Sequence, residues 1–526
     1  MIPIPAVCNI ATEACDRWAD GSGRLAIRHL LADGGVEDWS FDRLRAASAR
    51  LANTLAAHGV RRGDRVAVLL AQGPEVAVAH LAAYRMGAIA VPLFVLFGPE
   101  ALAFRLRDSG ASALITDTAG AVTVQGIGIP LVLALGGGPG ALDYARETAR
   151  ASDAHAALAT GGDDPALIIY TSGTTGSPKG ALHGHRVLRG HLPGVETPHD
   201  GLPQPGDFMW TPADWAWIGG LLDVLLPSLF WGVPVLAHRF PKFEPEAALT
   251  LMARQGVRNA FLPPTALKML RAVPDAARFC ARPRSIGSGG ETLGDGLLDW
   301  GREAFGVTIN EFYGQTECNL VIAGRASWFP RAPGSMGRAV PGHEVAILDD
   351  DGAPAPHGEE GVIAVHTPDP VAFLGYWRNP TATAAKYRGD WLLTGDRGRR
   401  DAEGNFWFLG RDDDVITSAG YRIGPGEIED SLSRHPAVAM VAVIGLPDAL
   451  RTEQVTAVVV PAPGYAPDAA LAQAIQNHVR RQVAAHAYPR EVVFAETLPM
   501  TATGKIMRGV LRTSLGARHT GPEGGA

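Results

Sequence analysis

The chain has 526 residues, 46% of them apolar, a formal net charge of −7 and four cysteines. That length exceeds what one ordinary core organises, so at least two domains are expected, and the mild charge gives no reason to propose nucleic acid or an anionic membrane as partner. Cys8, Cys15, Cys280 and Cys318 are scattered and form no CxxC pair, which argues against a disulfide framework or a zinc site and fits a reducing cytoplasm.

The N-terminus lacks a basic start followed by an apolar core, so no signal peptide is expected. Residues 1–24 give no clear pattern. Leu44, Ala47, Leu51 and Leu55 recur at helical spacing and predict a helix over 41–58. Strands are predicted over 65–70, 88–94 and 113–117, with helices over 75–86 and 100–109. The most apolar stretch, 219–237, is broken by Asp223, Pro227 and Pro234 and reads as buried protein, not as a membrane span. A second round follows, with strands over 234–238, 259–262, 284–288 and 308–312 and helices over 244–255, 264–272 and 295–305. Strand–helix alternation implies a parallel sheet covered by helices. After about 324, short alternating runs over 344–348, 361–366, 391–394 and 406–409 predict a small antiparallel β region. Helices over 426–433 and 468–483 and strands over 438–444, 455–460 and 491–494 make a last group. The fold class is therefore α/β, with a large N-terminal domain of two doubly wound subdomains plus the β region. A small α+β C-terminal domain completes it. The domains are set at 1–411 and 412–526, with a hinge at 411–414.

The densest chemical signal is Tyr170-Thr-Ser-Gly-Thr-Thr-Gly-Ser-Pro-Lys-Gly180, behind the apolar run 166–170. Glycines let backbone N–H groups converge, hydroxyls add donors and Lys179 adds charge, which together suit a polyphosphate. The string is not the common P-loop, because Gly173 is followed after four residues by Pro178-Lys179-Gly180. The proline removes a donor and forbids a smooth entry into a helix. The string closely resembles the phosphate loop of the AMP-forming acyl-CoA synthetases, the acetyl- and medium-chain acyl-CoA synthetases among them. These belong with firefly luciferase and peptide-synthetase adenylation domains among the adenylate-forming enzymes.

That resemblance covers roughly residues 25–515 and implies the site. Thr171, Ser172, Gly173, Thr174, Thr175, Gly176 and Lys179 would hold ATP phosphates. In Gly287-Ser-Gly-Gly-Glu-Thr292, Gly290, Glu291 and Thr292 would border adenine. In Asn310-Glu-Phe-Tyr-Gly-Gln-Thr-Glu317, Glu311, Phe312, Tyr313, Gly314, Gln315 and Thr316 would contact the nucleotide. Tyr313 offers a face to a purine, Thr316 can donate to a phosphate, and Glu317 can hold Mg²⁺. Asp396, after Thr394-Gly395, would accept the ribose hydroxyls, with Arg411 fifteen residues on as its partner. Asp413 would be the hinge pivot of a mobile lid. Ala419, Gly420, Tyr421 and Arg422 would line the pantetheine path of CoA. Lys505 would enter from the small domain to balance charge at the carboxylate and α-phosphate. Trp217, Ile218, Gly219 and Gly314 would face the acyl group. Acetate enzymes carry tryptophan where Gly314 stands, so an acid longer than acetate is expected.

The implied function is a cytoplasmic ATP-dependent carboxylate–CoA ligase with Lys505, Thr316 and Glu317 as catalytic residues. Its co-substrates are ATP with Mg²⁺, CoA and a short-branched to medium-chain fatty acid. No membrane span is expected, and a homo-oligomer is compatible with the sequence. An aryl (benzoate-like) CoA ligase, an enzyme loading a carrier protein, and a non-enzymatic nucleotide-binding relative are the alternatives. The intact Glu317, Asp396, Arg411 and Lys505 count against the last.

Overall fold

The computed structural model describes the chain except residues 1–2, 172–177, 291–292, 412–413, 415, 419–420, 449–451, 483–486, 502–504 and 520–526. Two compact units result. The first runs to Val345 and takes in Val365–Leu392, and the second comprises Ala346–Ala364 and the chain from Leu393 onward. The second unit thus begins ahead of the expected boundary at 411–414. Its strand Asn405–Arg411 packs against its helix Pro425–Ser433, which draws that strand into the C-terminal body.

The first unit holds two sheets. One has eight strands in the order Gly375–Tyr376, Lys179–Gly184, Pro165–Thr171, Ile89–Pro92, Arg65–Leu69, Ala113–Asp117, Leu131–Leu135, Leu142–Asp143. It is parallel from Pro165–Thr171 onward and antiparallel at its Lys179–Gly184 side. Its central strands bury almost every side chain, as parallel strands covered on both faces must. Helix Phe41–Ala57 and helix Pro74–Arg85 pack together, and the Ser40 hydroxyl caps the former by accepting the Arg43 N–H at 3.1 Å.

The other sheet runs, within the first unit, Gly337–Ala339, Cys318–Ala323, Ile309–Gln315, Ser285–Gly289, Asn259–Phe261, Met209–Trp210, Val235–Ala237, Leu25–Leu30, Val36–Ser40. Its strands are parallel from Ile309–Gln315 to Leu25–Leu30. Leu25–Leu30, which no sequence pattern marked as a strand, pairs with Val235–Ala237 far along the chain. The unassigned start of the chain contains helix Ile10–Ala14, buried against Leu226–Trp231 and Pro74–Arg85. The apolar stretch 219–237 is buried protein, as expected. It forms Ile218–Gly220, a π-helical turn Leu221–Leu225, helix Leu226–Trp231 and strand Val235–Ala237. Among the described residues, no helix is long and apolar enough to cross a membrane.

In the second unit Thr452–Pro461 is the central strand of a five-stranded sheet. Val438–Asp448 and Ile416–Ser418 pair antiparallel to it, and Glu491–Phe494 lies parallel. Along Val438–Asp448, Val441 and Val443 enter one apolar cluster, with Ile428 and Ile475. Ala442, Ile444 and Leu446 enter another, with Leu511 and Leu515. The period of two thus gives the sheet a core on each face. The α/β class and the small α+β C-terminal part agree with the sequence expectation.

Candidate active site

Open parallel sheets bind ligands beyond the carboxyl ends of their strands, and Thr171, Gly290, Thr316 and Glu317 lie at or just past such ends. Pro165–Thr171 ends in Thr171, and the chain returns as Lys179–Gly184 with Lys179 opposite Thr171. Ser172, Gly173, Thr174, Thr175 and Gly176, the centre of the phosphate loop, lie outside the described residues. Ser285–Gly289 ends at Gly290, whose φ of 100° lies where side chains are strained. Glu291 and Thr292 are also outside the described residues.

Ile309–Gln315 turns back sharply into Cys318–Ala323. Gln315 pairs with Cys318, so Thr316 and Glu317 are the two corner residues. Glu317 is 8% exposed. Its Oε1 accepts a hydrogen bond from the Tyr376 phenol at 2.5 Å, and its carboxylate has no other side-chain partner among the described residues. Tyr376 lies opposite Ala181 on the strand that begins with Lys179. The Lys179 ammonium sits 5.3 Å from the Tyr376 ring centroid. Tyr376 therefore connects the corner carboxylate with the lysine strand. Sequence reasoning missed it, because Leu374-Gly-Tyr-Trp377 shows no cluster of hydroxyls or charge.

Other members of the string 311–317 are engaged inside the protein. Glu311 accepts the Leu293 N–H at 3.2 Å and pairs with Arg331 at 3.2 Å, so it ties two loops together. The Phe312 ring is 5.3 Å from that of Phe261 and fills the space where Gly287 and Gly289 lack side chains. Tyr313 is 9% exposed and pairs with Ile322.

On the acyl side, Trp217 precedes the helical turn Ile218–Gly220, and its ring lies 5.9 Å from Phe261. The ring is also 3.7 Å from where a Gly290 Cβ would stand, so the expected acyl and adenine segments are neighbours. Ile218 is buried. A Cβ on Gly219 would stand 2.8 Å from the Trp217 and Phe261 rings, and one on Gly314 only 2.2 Å from the Leu320 nitrogen. The space beside Gly314 was expected to admit the acyl chain. The direction of its missing side chain is instead filled by backbone of residues 319–320, where the strand bulges out of register. Asp214, in the loop before Trp217, accepts the Ala216 N–H at 2.8 Å, and burial pushes its pKa up to about 6.

In the second unit, Asp396 lies directly opposite Arg411 in the hairpin of Trp391–Arg400 and Asn405–Arg411. The Arg411 Nε is 3.5 Å from Oδ1 of Asp396. Thr394 Oγ1 accepts the Asp396 N–H at 3.1 Å and donates to the Ile363 carbonyl at 2.6 Å. Tyr421 and Arg422 begin the strand Tyr421–Ile423. Asp413, Ala419 and Gly420 lie outside the described residues. Lys505 is exposed. Its N–H donates to Thr501 Oγ1 at 3.1 Å, and its carbonyl accepts the Thr501 N–H at 2.8 Å. Just beyond, Arg508 pairs with Glu429 at 2.5 Å and Asp414 at 3.5 Å, and Arg512 also binds Asp414.

The family described as AMP-binding enzyme matches residues 16–377, and the AMP-binding enzyme C-terminal domain matches 427–505. The human acyl-coenzyme A synthetase ACSM2B, mitochondrial, is 36% identical, over 97% of this chain and 91% of its own length. ATP-bound MatB from Rhodopseudomonas palustris superposes with a TM-score of 0.88 at 30% identity, covering 98% of this chain and 100% of that one. A benzoate CoA ligase from Burkholderia xenovorans LB400 gives 0.85 at 27% identity, covering 96% and 99%. The chain belongs to the AMP-binding enzyme family and is an AMP-forming acyl-CoA synthetase, an acid–thiol ligase that uses ATP and CoA.

Proposed function

We propose that the chain activates a carboxylic acid longer than acetate, of short-branched to medium length, as an acyl-adenylate and then transfers the acyl group to CoA. The observation that carries the site reading is Glu317. It stands at a hairpin corner, oriented by Tyr376 and with one oxygen left for a ligand. Lys179 and the phosphate loop take the polyphosphate, Tyr313 and Gly290 the adenine, and Asp396 with Arg411 the ribose. Glu311 acts through the loops it ties, and Trp217, Ile218 and Gly219 bound the acyl group. The hard oxygen of Glu317 fits Mg²⁺, which keeps most of its shell as water and substrate phosphate. Once bound, the ion would neutralise phosphate charge.

A carboxylate oxygen attacks the α-phosphorus and pyrophosphate leaves, while Lys505 balances the developing charge. The chemistry is chiefly positioning and electrostatics. The domain 412–526 then turns about Asp413 in the hinge 411–414. This withdraws Lys505 and brings Ala419, Gly420, Tyr421 and Arg422 to the pantetheine arm. The thiol attacks the acyl carbonyl and AMP leaves. The four cysteines are free thiols, which supports a reducing compartment, and the cytoplasm is our reading. The human relative above is named as mitochondrial.

A second reading, an aryl acid, is favoured by the row of Trp217, Phe261 and Phe312, spaced 5.9 and 5.3 Å between centroids. The test is pyrophosphate release from Mg-ATP across acids from acetate to decanoate, with branched and aromatic members, each with and without CoA. CoA-dependent turnover on medium-chain acids supports the first reading. Turnover on aromatic acids supports the second, and turnover without CoA dependence points to another acceptor.

A further inference from the structure

One carboxylate near the expected acyl pocket has no part in the reaction above. Leu221, Leu222, Val224 and Leu225 are fully buried, yet Asp223 stands among them at 4% exposure. It lies in the π-helical turn Leu221–Leu225, a kind of turn that recurs at functional sites. Its Oδ1 accepts a hydrogen bond from the Asn319 side-chain amide, and Oδ2 has no hydrogen-bond partner among the described residues. A carboxylate so nearly buried, met by one side-chain donor on one oxygen, leaves its other oxygen able to take a second donor.

The acid leads to the acyl side through Gly219, and its partner leads to the corner beside Gly314. Gly219 precedes Asp223 by about one helical turn, on the same face, and abuts the Trp217 and Phe261 rings. Asn319 lies against Gly314, its Cα 2.9 Å from where a Gly314 Cβ would stand. Leu320, the next residue, holds a φ of 53°, a conformation that persists only where surrounding structure enforces it. Gly219, assigned to the acyl pocket from sequence, thus stands about one turn from this nearly buried acid, and the acid's partner Asn319 belongs to the backbone that fills the space beside Gly314.

We propose that Asp223, held by Asn319, is a polar end of the acyl pocket and selects acids whose chain carries a hydroxyl or amine that donates to Oδ2. This rests on the reading of the site as an acid-activating pocket. A hydrocarbon chain would leave Oδ2 unmet when it binds, whereas a donor on the chain satisfies it. Burial raises the pKa of Asp223. In the protonated form the same carboxyl can donate to a hydroxyl oxygen, so a hydroxyl suits both states.

The test compares kcat/KM for matched acids in the full-length enzyme with saturating Mg-ATP and CoA. Hexanoate is set against its ω-hydroxy and ω-amino counterparts, and benzoate against the monohydroxy- and monoaminobenzoates. A site built to bond a substituent rejects the analogue lacking it strongly, so at least one substituted acid should exceed its parent on the order of a hundredfold. Asp223→Leu should abolish or invert that ratio while the parent acid is still turned over. If Asp223→Leu does not fold, the near-isosteric Asp223→Asn and the truncation Asn319→Ala carry the comparison, and each should shrink the ratio. The proposal is overturned if parent acids are used at least as well as every substituted partner. It is also overturned if the preference survives in the variants, as a merely structural Asp223 would allow. If no acid of either kind yields AMP, the acid-ligase reading falls, and this inference with it.

Discussion

The phenol of Tyr376 donates to Oε1 of Glu317 at 2.5 Å, although 59 residues separate them in sequence. The bond fixes a carboxylate at the corner of one sheet from the edge strand of the other, since Tyr376 pairs with Lys179–Gly184 and Glu317 follows Ile309–Gln315. The two α/β sheets of the first unit are thereby joined at the point where the phosphates are proposed to lie. Ion-holding carboxylates need such outer partners to keep their orientation.

Removing that hydroxyl tests the role. Tyr376→Phe keeps the ring, which packs edge-on to Phe373 with centroids 5.0 Å apart. We expect kcat for pyrophosphate release to fall roughly 10- to 100-fold, in line with loss of an outer-shell partner, and the magnesium concentration for half-maximal rate to rise. The KM for the acid should change little. A magnesium titration indistinguishable from wild type would show that Tyr376 does not orient an ion-holding carboxylate.

Lys505→Ala addresses the two half-reactions separately. Lys505 is exposed, and its backbone, not its side chain, makes the bonds to Thr501, so truncation should leave the small unit folded. Adenylate formation should be lost. Thioester synthesis from supplied acyl-adenylate and CoA should stay within a few-fold of wild type, because the lysine is proposed to have left the site by then. Equal loss of both steps, read by AMP and acyl-CoA formation, would sink the alternation account.

Much of the fold was legible because the signal was local. Helix 41–58 was predicted from Leu44, Ala47, Leu51 and Leu55, and the structure has Phe41–Ala57 with the three leucines fully buried and Ala47 partly so. The apolar run 166–170, which forms most of strand Pro165–Thr171, and the alternation from 234 to 312 were local signals of the same kind. What escaped notice depends on long-range pairing. Leu25–Leu30 is a strand because Val235–Ala237 accepts it, and Tyr376 matters because Glu317 lies beside it. The geometry behind Gly314 was equally hidden. A glycine in sequence says that a side chain is absent, and only the bulge at residues 319–320 shows what fills the space.

That bulge makes Gly314 a steric position. A Cβ there would stand 2.2 Å from the Leu320 nitrogen and 2.9 Å from the Asn319 Cα, and backbone cannot swing aside as a flexible side chain can. Gly314→Ala should therefore destabilise the first unit by about 1–3 kcal/mol, the usual range for overpacking. It should also lower kcat, because the strain falls next to Thr316 and Glu317. Thermal melting and pyrophosphate release measured together would check this. An unchanged melting temperature would mean that residues 319–320 yield freely.

Acid should destabilise the first unit through its buried histidines. Desolvation pulls the pKa of His80 and His191 from 6.5 down to about 3, and those of His183, His185 and His199 down to about 4. Below pH 6.5 the unfolded chain binds protons at these rings and the native chain does not. Stability is therefore fully present above 6.5 and is lost as pH falls toward the folded values. Each ring contributes a slope of up to about 1.4 kcal/mol per pH unit. Asp214 acts in the opposite sense, since burial raises its pKa from 3.8 to about 6. Its contribution is present below 3.8 and lost as pH rises through about 6. Burial raises the pKa of Asp223 as well, so it acts in the same sense as Asp214; five histidines outweigh these two aspartates, and the net effect of acidification is destabilising. Melting temperatures recorded between pH 7.5 and 4.5 should fall progressively from about pH 6.5, more steeply as more rings enter their window. A melting temperature flat down to pH 5 would mean that these rings take up protons in the native state, and the account of them as neutral and desolvated would be wrong.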